Sequence, residues 1–102
     1  MFNTIALVRD YSKLIKNGRT QRSISAHMRG EHDELDIEIE KVEQGLSEGP
    51  DGIVGENIDI IACALDSIFE HAPDITDEEI YNIMDRKCRK WVEKYGNPKV
   101  SE

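Results

Sequence analysis

Cysteine, positive charge, chain-breaking residues and long apolar runs are all scarce in this chain. There are only two cysteines in 102 residues, Cys63 and Cys88, both within apolar or amphipathic segments. Two such thiols make a poor disulfide framework, and reduced cysteines of an intracellular protein are expected. Lysine and arginine number 13 against 21 aspartates and glutamates, a net charge of −8. A phosphate backbone rewards cationic faces, so nucleic acid is excluded as a partner. The longest apolar run, Ile58 to Leu65, is interrupted by Asp59 and is too short to span a bilayer. Met1 to Val8 is apolar only briefly before Arg9 and Asp10, which does not read as a secretory signal. No membrane role and a cytoplasmic location are therefore expected. Catalytic motifs are equally sparse. His27, His32 and His71 lack the Cys/His spacing of a zinc site, and no glycine loop has the context of a phosphate cradle.

What is present reads as helix throughout. The length suits a single domain covering residues 1–102. The first helix is expected from about Asn3 to Lys16, with Ile5, Val8, Tyr11 and Ile15 roughly at helical spacing and a stop at Asn17-Gly18. A second starts near Ser23 or Ser25 and runs to about Gln44, its stripe formed by Ile24, Met28, Leu35, Ile39 and Val42. Residues 45 to 55 are the only breaker-rich stretch, and a third helix follows Gly52 and continues to about His71. Thr76-Asp-Glu-Glu79 is a capping box that opens a fourth helix ending near Tyr95, before Gly96-Asn-Pro98. The fold class expected is all-α, a short four-helix bundle.

Carboxylates break the patterning of two of these helices. Glu31 and Glu34 are spaced i, i+3 in the second helix, and Glu56 and Asp59 repeat that spacing in the third. Two antiparallel helices carrying such pairs can bring four carboxylates to one point, an arrangement that hard divalent cations such as Mg²⁺ or Mn²⁺ make stable. The third helix is apolar around nearly its whole circumference, so it is expected to be the central one. Glu56, Asp59 and Asp66 nevertheless share one seam of it with Cys63, and no lysine or arginine occurs between Lys41 and Arg86. Ionised carboxylates on a buried seam need metal, a distant cation or solvent. Lys87 is a further anomaly, projecting into the stripe of Ile80, Ile83, Met84, Cys88, Trp91 and Tyr95. It reads either as a lysine whose stem covers apolar surface or as a cation aimed at phosphate.

Gly30-Glu-His-Asp-Glu34, a spacer over residues 35 to 55, and Glu56-Asn-Ile-Asp59 together resemble the all-α nucleoside triphosphate pyrophosphohydrolases of the MazG type. That family carries E-E-x-x-E followed by E-x-x-D, and the likeness extends over roughly residues 20 to 95. Gly30 stands where the family has its first glutamate. The resemblance implies Mg²⁺, with Mn²⁺ as an alternative, held by Glu31, Glu34, Glu56 and Asp59. It also implies a nucleoside triphosphate substrate cleaved to monophosphate and pyrophosphate. Glu34, and after it Glu38, are the expected bases toward water, and Lys87 is the expected phosphate contact. Family members commonly assemble, so completion of the bundle as a homodimer or homotetramer is expected. Two alternatives stand beside this reading. Phosphoribosyl-ATP pyrophosphohydrolases usually carry a Tyr-His pair soon after the E-x-x-D aspartate, where this chain has Ile61-Ala-Cys-Ala64. A non-catalytic acidic helical interaction module is favoured by Gly30.

Overall fold

The structure, a computed structural model, describes residues 2–15 and 18–96. It contains four helices and, among the described residues, no strand: α1 (Thr4–Leu14), α2 (Gln21–Glu43), α3 (Gly52–His71) and α4 (Asp77–Tyr95). The positions of the elements follow the sequence pattern, and their ends follow local capping chemistry. The Asn3 side chain accepts from the Ala6 N–H and starts α1. The expected end of that helix at Lys16 and Asn17 lies outside the described residues, as do Asn97 and Pro98 beyond α4.

Helix α2 begins earlier than Ser23, because Thr20 and Ser23 cap one another reciprocally and draw Gln21 and Arg22 into the first turn. Its other end is a Schellman motif. The Leu46 N–H donates to the Lys41 carbonyl at 2.8 Å and the Gly45 N–H donates to Val42 at 3.0 Å. Gly45 adopts φ +76° there, a left-handed conformation that costs glycine little. The expected capping box of Thr76 and Glu79 opens α4.

Helices α2 and α3 form an antiparallel pair joined by a short connection. Their cross-contacts descend in order: Gln21 with Ser67, His27 with Cys63, and Gly49 folded back onto Glu38. Helix α1 packs on the other side of α3, where Ile5 and Val8 meet a core of Leu65, Phe69 and Ile80, with Ile68 and Ile75 around it. Among the described residues, α3 is thus the only helix packed along two neighbours. It is not enclosed, however: Val54, Ile58 and Ile61 remain exposed, because no fourth helix lies over that face.

Helix α4 is joined to the rest at its beginning. Ile80 is its single buried residue, and Arg9 ties Asp77 by an ion pair and donates to the Ile75 carbonyl at 3.2 Å. The same guanidinium lies 4.9 Å from the centre of the Phe69 ring. Beyond that anchor the apolar stripe read in the sequence is on the surface, Met84, Trp91 and Tyr95 included. Among the described residues no helix is long and apolar enough to cross a membrane.

Candidate metal centre

The antiparallel register of α2 and α3 brings the two acidic pairs face to face. Glu31 and Glu34 lie one turn apart on α2, and Glu56 and Asp59 lie one turn apart on α3. One carboxylate oxygen from each falls within 4.8 Å of the others. Glu56 is buried, Glu31 and Asp59 are half-buried, and Glu34 opens to solvent.

Four carboxylates this close repel one another, and no lysine or arginine among the described residues pairs with any of them. Among the described residues the basic group that meets them is His27, whose Nε2 lies 3.0 Å from Glu31 Oε1. Glu31 Oε2 and Glu56 Oε2 are buried without a hydrogen-bond partner. An orphaned carboxylate oxygen is costly. In the metal-free arrangement the protein relieves it by holding protons. Burial pushes the Glu56 carboxyl up to about 7, helped by the nearby Glu34 carboxylate and by the charges of Asp59 and Asp51. Glu31 is raised first by burial and then by Glu34 and Asp59, with His27 acting in the opposite sense.

A divalent cation fits this donor set. The oxygens are hard and drawn from one small volume, and the two orphaned atoms lack the partner that coordination would supply. A second group, His32, Asp33 and Asp36, lies fully exposed on the outer face of α2. It has no buried unpartnered atom and is a solvated helix surface.

The remaining residues singled out in the sequence go elsewhere. Asp66 leaves the seam shared with Glu56 and Asp59: it accepts from Ser12 and pairs with Arg19, a distant cation. Glu38 is buried outside the four-carboxylate group, with Oε2 2.8 Å from Lys41 Nζ and Oε1 accepting from the Gly49 N–H at 2.6 Å. These bonds hold its carboxyl below the ordinary glutamate range, and they fasten the α2–α3 connection. A Cβ on Gly49 would approach Glu38 Oε1 to 3.2 Å, which is why glycine suits the connection. Lys87 is exposed on α4, and its helix does not pack along α2.

His27, set aside in the sequence for want of zinc-ligand spacing, sits beside the acidic centre. Its Nδ1 lies 3.8 Å from Cys63 Sγ while its other nitrogen meets Glu31, so one ring connects the buried thiol to the acidic centre. The i, i+4 spacing of His27 and Glu31 was the available signal. Burial raises the Cys63 thiol, and the charges of Glu31, Asp66 and Asp59 add to the shift. Cys63 is therefore a neutral wall of the site, not a thiolate nucleophile.

No family model, curated protein or solved structure matches this chain. Fold and site together define an all-helical protein with a paired-carboxylate centre suited to a divalent cation.

Proposed function

We propose that the protein is a MazG-like nucleotide pyrophosphohydrolase, dependent on Mg²⁺ or Mn²⁺, that cleaves a nucleoside triphosphate to the monophosphate and pyrophosphate. One observation carries the reading. The E-x-x-E of α2 and the E-x-x-D of α3 converge into a single group of four carboxylates with two orphaned, buried oxygens.

Glu31, Glu34, Glu56 and Asp59 would hold the metal. When bound, it supplies neutralisation of phosphate charge and acidification of water. The protein residues divide the rest of the work. Glu56 and Asp59 form the inner wall from the better-packed helix. Glu31 is oriented by His27 at 3.0 Å. Glu34 is the exposed member of the group and, in this reading, takes the proton from the attacking water. Glu38, the second choice of base, has both oxygens engaged by Lys41 and Gly49 and supports the connection beside the site. Lys87 contacts phosphate only if an assembled form brings α4 to the centre. A cytoplasmic homodimer or homotetramer belongs to the same reading.

The test is product analysis with Mg²⁺ over a panel of nucleoside triphosphates, diphosphates and phosphoribosyl-ATP. Monophosphate and pyrophosphate from a triphosphate support the reading. Release of inorganic phosphate, exclusive use of phosphoribosyl-ATP, or no turnover with tight metal binding each overturns it. The last outcome leaves a non-catalytic acidic helical module, the alternative that Gly30 favours.

A further inference from the structure

The protomer is too open for its mass. Its Cα radius of gyration is 16.6 Å, whereas a compact domain of about 100 residues has about 13 Å. Its accessible surface is 8318 Å², about 2,500 Å² more than the roughly 5,800 Å² of a compact monomer of this mass. Among the described residues no large side chain is fully buried. The excess is of the size that each partner of an obligate homodimer covers, about 1,000–2,500 Å².

Two apolar surfaces stand uncovered. One is concave: a groove of about 710 Å³ between α1 and α3, with Leu7, Val8 and Tyr11 on one wall and Ile58, Ile61 and Ala62 on the other. The other is convex: the stripe of α4, where Met84, Trp91 and Tyr95 stand 59%, 66% and 70% exposed and Cys88 is exposed between them. Charge sets α4 apart from the rest of the chain. Residues 85–95 carry five cations against two carboxylates in a chain whose net charge is −8. The groove lining also includes His27, which meets Glu31 of the acidic centre, and Asp66, which is paired with Arg19.

We infer that a second copy of the chain fills the groove, each protomer laying the α4 stripe into the groove of the other. A two-fold pairing makes this contact twice with the same surfaces and leaves no open end. Basic residues of α4 then meet a partner whose net charge is −8. Lys87, which flanks the stripe and reaches no carboxylate of its own protomer, approaches the partner's centre. The inference rests on the homo-oligomeric part of the proposed function and specifies its interface.

The chain carries its own reporters, since Trp91 is the sole tryptophan and Cys88 one of two thiols. Light scattering of the wild-type protein should give twice the protomer mass of 11.6 kDa. On dilution through the dissociation constant, Trp91 emission should shift to the red and Cys88 should react with a thiol reagent at least tenfold faster. Two variants at residues exposed in the protomer, Trp91→Glu on the stripe and Leu7→Lys in the groove, should each yield a helical monomer with freely reactive Cys88. A wild-type monomer at millimolar concentration overturns the pairing. So does a dimer in which Cys88 and Trp91 remain exposed, or one that either variant leaves intact. A monomer whose Trp91 emission responds to phosphatidylserine vesicles also overturns it and makes α4 a membrane-surface helix. None of these readouts needs metal or substrate. An inactive dimer with protected Cys88 refutes the hydrolase alone, and an active monomer refutes the pairing alone.

Discussion

Replacing Glu56 by glutamine sets two consequences of one carboxylate against each other. In the metal-free protein the group is buried, has an orphaned oxygen, and titrates near 7 against an ordinary value of 4.5. Between those values the folded state binds more protons than the unfolded chain. Stability is therefore greatest below about pH 4.5 for this group and falls as pH rises toward 7. Glutamine removes the titration, so Glu56→Gln should flatten that slope and raise the metal-free melting temperature at pH 8. Glu31, raised in the same direction, leaves a smaller slope behind.

Metal reverses the order of the two proteins. With Mg²⁺ or Mn²⁺ at a hundred times its dissociation constant, mass action stabilises the native state by about 2.7 kcal/mol. For a domain of this size that raises Tm by about 10–20 °C. The variant loses a charged ligand from the most buried position and should show a much smaller rise. Binding to wild type displaces the Glu56 proton, so apparent affinity should fall about tenfold per pH unit below pH 7. Differential scanning fluorimetry from pH 5 to 8, with and without metal, reads every term. A variant with the wild-type metal response and the wild-type pH slope would refute the assignment of Glu56 to a metal centre.

Glu34→Gln and Asp59→Asn should each lower turnover by orders of magnitude with helical circular dichroism unchanged, while Glu40→Gln, outside the four-carboxylate group, should be nearly silent in the same steady-state assay. Phe69→Ala removes a core residue 7% exposed and should cost about 3–5 kcal/mol in urea denaturation. Gly30→Ala should stabilise by about 0.5–1 kcal/mol in that measurement. A Cβ at Gly30 meets nothing within 4 Å, so loss of stability there would show a role for glycine that the helix geometry does not contain.

The four helices and the two acidic pairs were legible in the sequence because both depend on near neighbours. Caps such as Thr76 with Glu79 act within one turn, and i, i+3 spacing places Glu31 with Glu34 and Glu56 with Asp59 on common faces whatever surrounds them. Their convergence needed only a short connection between two amphipathic helices. The fate of Asp66 was not legible, since Arg19 reaches it from a connection whose path depends on how α1 packs against α3. Nor was the burial of Glu38, whose partner Gly49 lies eleven residues away in a loop with no periodicity to read. Helix α4 shows the limit most clearly. Its stripe establishes that an apolar face exists, while only the tertiary structure decides that the face, apart from Ile80, stays uncovered within one protomer. Periodicity records which side of a helix avoids water. What covers that side is set by contacts distant in the chain, and those carry no local signature.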